Sequence, residues 1–153
     1  MYINENTAEV LNDLIRINND RVNGYEKASA ETKAKDTDLQ AIFRQMAAES
    51  RSYVNDLSEY VNFSDKEPAT NTTSAGKIYR AWMDVKATFT GKDRKAILAS
   101  CEYGEDAAQK AYETALSSDA ELSAEIRQLI MDQKGSLKRS HDRIKQLRDA
   151  QLA

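Results

Sequence analysis

The stretch Asp36-Thr37-Asp38-Leu39-Gln40-Ala41-Ile42-Phe43-Arg44-Gln45-Met46 returns 83 residues later as Asp119-Ala120-Glu121-Leu122-Ser123-Ala124-Glu125-Ile126-Arg127-Gln128-Leu129. Asp, Leu, Ala, Arg and Gln match outright, and Asp38/Glu121, Phe43/Ile126 and Met46/Leu129 match in kind. Matches this dense and in register are the mark of an internal repeat. In the first copy Leu39, Ile42, Phe43 and Met46 fall at helical spacing, and in the second Leu122, Ile126 and Leu129 do the same.

Outward from the first copy, the apolar stripe runs on to Tyr53, Leu57, Tyr60 and Val61, with a polar break at Glu49-Ser50. Asp36 stands at the N-cap position of this helix, behind the turn Lys33-Ala34-Lys35. Upstream, Val10, Leu11, Leu14, Ile17, Val22, Tyr25 and Ala28 form the stripe of a helix capped by Thr7 and interrupted by Asn18-Asn19. The second copy continues through Leu137, Ile144 and Leu147 and breaks at Asp132-Gln133, with Ser118 and Glu121 as a capping box. Its partner helix runs from about Asp93 to Leu116 through Ile97, Leu98, Cys101, Ala108, Tyr112 and Ala115. Continuing that period from Cys101 turns Glu105 toward the core.

Residues 62–76 hold the single proline, Pro68, among Thr, Ser and Asn, and read as a long exposed connection. Ile78, Trp82, Val85 and Phe89 then share one helical face, which predicts a short extra helix docked through Trp82. The expected order is two helical hairpins, about 8–61 and 93–149, joined by a crossover over 62–92. A helix of ~25 residues is ~37 Å long, and the crossover is long enough to return along it. The sequence thus predicts an all-α, ferritin-like four-helix bundle with one long crossover carrying a short extra helix. At 153 residues the chain is expected to form a single domain, 1–153.

A net charge of −3 with interspersed signs argues against nucleic acid as a partner. No apolar run reaches membrane-spanning length, so no membrane partner is expected. Met1-Tyr2-Ile3-Asn4-Glu5 lacks the basic and apolar regions of a secretory signal. The lone Cys101 forms no internal disulfide, and the expected location is the cytoplasm. Cys101 and Trp82 are expected in the core, and His141 on the surface within a charged stretch.

The polar breaks are where chemistry would sit. Di-metal carboxylate bundles take a Glu from each of two helices and Glu-x-x-His from each of the other two. An offset of 83 aligns Glu49 with Asp132 and Val22 with Glu105. The residue three after Glu49 is Ser52, and three after Asp132 is Gly135, so both histidines of the pattern are missing. Glu26, Glu49, Glu105 and Asp132 remain as a metal-ligand set whose oxygens suit Mg, Ca or Mn better than a redox iron pair. The favoured alternative is a polar layer without metal, satisfied by partners such as Arg51, Lys134, Tyr25 and Tyr112. No cofactor is otherwise expected, and no residue is assigned a catalytic role.

The run Glu102-Tyr103-Gly104-Glu105-Asp106-Ala107-Ala108-Gln109-Lys110-Ala111-Tyr112-Glu113-Thr114-Ala115-Leu116, with Arg80-Ala81-Trp82 and His141 to Asp149, resembles the DUF2383-type four-helix-bundle family. The resemblance extends from about Ala8 to Asp149. It implies a bacterial cytosolic protein of ferritin-like fold with no established activity and no assigned catalytic residues. The leading expectation is a non-catalytic binding or assembly protein, self-associating as a homodimer, with stress adaptation suggested by fold-level analogy. The alternatives are a di-metal oxidase or iron-handling protein, and a small-molecule carrier with a cavity beside Trp82 and Tyr112.

Overall fold

Four amphipathic segments become helices in the computed structural model, which describes residues 2–32, 36–73, 82 and 94–151. They are α1 (Glu5–Glu31), α2 (Thr37–Val61), α3 (Arg94–Leu116) and α4 (Ala124–Asp149). On α2 the buried face runs Leu39, Ile42, Phe43, Met46, Ala47, Ser50, Leu57 and Val61, a three-and-four spacing that closes one stripe. The expected extra helix over 78–89 lies outside the described residues except for Trp82, which is buried. Among the described residues no helix is long and apolar enough to cross a membrane.

Helix α1 packs on α2 and α3, and α4 packs on α3 and α2, so α1/α4 and α2/α3 are the diagonals of the bundle. Each neighbouring pair is antiparallel. Along α1, Asn18 meets Tyr112 and Arg21 meets Glu105 further back on α3. Between α2 and α4, Glu49 meets Ser140 and Gln45 meets Arg143. Arg94, at the start of α3, pairs with Asp36 and Asp38 at the start of α2. Helix α2 ends at the other end of the bundle, where the Phe63 carbonyl accepts from the Ile3 N–H. The end of α2 and the start of α3 therefore lie at opposite ends of the bundle.

The chain that follows α2 is held to α1 over residues 67–73. The Asn12 amide donates to the Glu67 carbonyl and accepts from the Ala69 N–H, Asn19 donates to the Asn71 carbonyl, and Thr73 donates to Asp20. Asn12 and Asp20 are buried where this segment crosses them, while its own residues 62–73 stay exposed or half-buried, as their polar composition predicts.

Two helix starts differ from expectation. Asn4, not Thr7, caps α1, accepting from the Thr7 N–H at 2.8 Å, while the Thr7 hydroxyl donates to the Glu121 carbonyl. Ser123 caps α4 through the Ile126 N–H, and Ser118 instead closes α3 by donating to the Ala115 carbonyl. The capping box at Ser118 loses because the chain still has to turn there. An N-cap is worth only about 1 kcal/mol, less than correct placement of the α4 stripe.

The core is two apolar clusters. One gathers Leu11, Leu14, Ile15, Leu57, Ile130 and Leu137 at the end holding the α1 N-terminus. The other gathers Leu39, Phe43, Met46, Trp82, Leu98 and Ile144 at the opposite end. Each such side chain contributes about 1.5–3 kcal/mol through burial. Trp82 fits because Gly24 of α1 and Gly104 of α3 leave room for it. A Cβ would stand 2.5 Å from Trp82 Cε3 at Gly24 and 3.0 Å from Cε2 at Gly104. Tyr25 meets the indole edge-on at 5.3 Å.

Candidate functional site in a buried polar layer

Between the two apolar clusters lies a layer of buried polar side chains, Asn18, Arg21, Ser50, Glu105 and Gln133, with Tyr25 and Tyr112 beside them. All four helices contribute. Arg21 is its centre and has no exposed surface. Its Nε donates to Glu105 Oε1 at 2.6 Å and its Nη2 to Oε2 at 3.4 Å. Nη1 donates to the Met46 carbonyl at 3.0 Å and to Ser50 Oγ at 2.8 Å, and Nη2 reaches Met46 Sδ at 3.2 Å. A guanidinium has five N–H bonds, and each has an acceptor here. The cation also stands 5.2 Å from the centre of the Tyr25 ring.

The hydrogen bonds continue in one direction across the bundle. Ser50 donates to Asn18 Oδ1 at 2.9 Å. Asn18 Nδ2 donates to Tyr112 Oη at 2.8 Å, and Tyr112 donates to Gln133 Oε1 at 2.7 Å. Tyr25 donates to Glu105 Oε1 at 2.9 Å. The two tyrosine contacts are counterparts. Tyr25 follows Asn18 by two helical turns on α1, and Tyr112 follows Glu105 by two turns on α3. Because these helices are antiparallel, each tyrosine hydroxyl meets the polar residue of the other helix. The counterpart of Glu105 is thus Asn18, one turn before the Val22 that a uniform offset of 83 selects. Between α2 and α4 that offset does pair buried positions, Ser50 with Gln133 and Phe43 with Ile126.

Burial opposes the Arg21 charge most strongly, but Glu105, Tyr25 and Glu49 together outweigh it, so the guanidinium is held more firmly protonated than usual. Burial, reinforced by Glu105, pushes the Tyr25 phenol well up, and burial raises Tyr112 likewise. Burial also lifts the Cys101 thiol, which is in the core as expected and carries no reactive thiolate character.

The four carboxylates chosen from the sequence do not converge. Glu105 is buried and fully engaged by Arg21 and Tyr25. Glu26 is exposed and paired with Arg51. Glu49, half-buried, accepts from Ser140 on α4 at 3.1 Å. Asp132 is exposed and accepts from Gln128 on its own helix. In both polar breaks of the long stripes the neighbouring residue is the buried one, Ser50 beside Glu49 and Gln133 beside Asp132. These four residues therefore do not fit a di-metal carboxylate centre at the middle of the bundle: a guanidinium lies against Glu105, the one of the four that is buried. Of the expected partners, Tyr25 and Tyr112 do join the layer, whereas Lys134 pairs with Glu113 near the surface.

Spacing places Arg21 on the face of Leu14 and Ala28, seven residues to either side, but its residue type hides it, because an arginine is ordinarily solvated. The remaining signal was the burial of Glu105, which obliges a cation nearby. His141 is also displaced from its expected place. It is largely covered, packed between α3 and α4 against Glu102 and Asp106. A groove of about 650 Å³ runs between α1 and α3, and neither Trp82 nor Tyr112 lines it.

No curated protein matches the chain. The family described as "Domain of unknown function (DUF2383)" matches residues 6–118, and the chain belongs to that family.

Proposed function

We propose that this protein is a non-catalytic, single-domain bundle of the ferritin-like class, and that it works by self-association through the face between α1 and α3. One observation carries this reading. The groove there has an apolar floor, including Val10, Leu14, Ile17 and Ala111, and a rim that carries both Asp13 and Lys110. A two-fold contact places each patch against its own copy, so a rim with both signs complements itself. A second copy is therefore the occupant that the groove suits.

The buried layer supports the non-catalytic half of the reading. Oxidase chemistry at the bundle centre would need carboxylate oxygens free to bind cations. Both oxygens of Glu105 are already bonded to Arg21 or Tyr25. Opening that pair would strand a buried cation at a cost of several kcal/mol. The related Tyr25 and Tyr112 contacts favour an origin by duplication of a helical hairpin.

Sedimentation equilibrium of the full chain tests the proposal. The expected result is a dimer that Ala111→Glu converts to a folded monomer. A wild-type protein that stays monomeric at its highest soluble concentration overturns the reading, as does a dimer that Ala111→Glu leaves intact.

A further inference from the structure

Glu102 and Asp106 stand one turn apart on α3, and His141 faces both from α4. His141 Nε2 is 2.7 Å from Asp106 Oδ1 and 3.7 Å from Glu102 Oε1, while Nδ1 is 3.0 Å from Asp142 Oδ1. An ionised carboxylate only accepts hydrogen bonds, and a neutral imidazole has one N–H to donate. With that proton on Nδ1 and donated to Asp142, the Nε2 lone pair points at two anions. Such an arrangement is repulsive unless a positive charge sits between them. Two carboxylates, one bare imidazole nitrogen and an outer carboxylate that fixes the tautomer are the parts of a histidine–carboxylate metal site.

We propose that Glu102, Asp106 and His141 bind one divalent first-row cation, zinc being the reference case, and that it ties α3 to α4. The two carboxylates balance a dication while the imidazole stays neutral. The neighbouring charges leave the ligand atoms available. Arg148 engages Glu102 through Oε2, leaving Oε1 toward His141. Lys138 bonds Asp142 and holds the outer carboxylate in place. The ligand atoms lie within 4.8 Å of one another, a spread that bonds of about 2.0–2.2 Å close with small side-chain rotations. The Asp106 side chain is half-exposed, so water can complete the coordination. This site shares no residue with the set Glu26, Glu49, Glu105 and Asp132.

The test uses the full chain, stripped with chelator, dialysed, and titrated with zinc chloride by calorimetry and cobalt chloride by visible absorbance. One equivalent per chain is expected, with cobalt d–d bands and a Tm about 5 °C or more higher at saturating zinc. His141→Ala and Asp106→Asn abolish the bands. Asp142→Asn weakens binding by roughly 10–100-fold through the lost outer contact. Asp132→Asn and Glu49→Gln bind as wild type does. If His141→Ala does not fold, Asp106→Asn reads the same site. Absence of saturable binding overturns the proposal. Binding that survives both His141→Ala and Asp106→Asn overturns it equally.

Discussion

Arg21 Nε lies 2.6 Å from Glu105 Oε1, and neither side chain has any exposed surface. An ion pair with no access to water is tolerated only if each remaining polar group is satisfied. Here Tyr25, Ser50 and the Met46 carbonyl complete the set. Removing one partner is therefore costly, and removing both need not be. Glu105→Gln is expected to lower unfolding stability by about 3–5 kcal/mol, because it leaves a buried guanidinium without its anion. The double variant Arg21→Met with Glu105→Leu is expected to recover most of that loss. Urea unfolding of the two single variants and the double variant closes the cycle. A Glu105→Gln protein as stable as wild type would show that the pair is not buried in solution.

The buried tyrosines are expected to weaken the fold at alkaline pH. Burial raises the Tyr25 and Tyr112 phenols above the ordinary value of 10.0, so the unfolded chain loses these protons before the native protein does. The sign follows from linkage. Their contribution is whole below about pH 10 and is lost as pH rises through the folded values. Stability should fall above pH 10 by up to about 1.4 kcal/mol per pH unit for each phenol. Tyr112→Phe should remove about half of that slope. Phenolate absorbance of both residues should appear together with unfolding, and titration of all tyrosines in the folded state would contradict this.

Two glycines within helices should respond oppositely to alanine. At Gly24 the new Cβ would meet the rigid Trp82 ring at 2.5 Å, so Gly24→Ala should cost about 1–3 kcal/mol through overpacking. At Gly135 the nearest atom is the far end of Arg139, at 3.7 Å. There Gly135→Ala relieves the helix-interior penalty and should stabilise by about 0.5–1 kcal/mol. Thermal unfolding of both variants separates the cases. A stabilised Gly24→Ala would mean that Trp82 does not sit in the notch.

Cys101 should behave as a core residue. Its thiol is fully buried, and burial, with Glu105 nearby, holds its pKa well above the ordinary thiol value of 9.0. A thiol reagent at neutral pH should label it only at the rate of unfolding, and urea should abolish the protection. Rapid labelling of the native protein would show that this part of the core opens readily.

Helix content and the packing of four helices as a bundle were legible in the sequence because apolar residues at three-and-four spacing leave a chain few ways to exclude water. The polar layer was legible too, at the level of one turn: the breaks at Asn18-Asn19, Glu49-Ser50 and Asp132-Gln133 each hold one of its members. Which residue of each pair turns inward was not. Adjacent helical positions differ by about 100° in direction, and a carboxylate looks the better candidate on chemistry alone. Packing decided otherwise, because an amide or hydroxyl can be satisfied inside by few partners while an ionised carboxylate needs a cation.

The sequence by itself therefore determined the helices, their order and the depth at which polarity enters the core. Only the tertiary structure decided that Arg21 meets Glu105 and that His141 faces Glu102 and Asp106. Periodicity acts within one helix, whereas the pairing of charges across helices depends on the relative rotation and shift of helices. Those are set by the whole core, including the notch that Gly24 and Gly104 leave for Trp82.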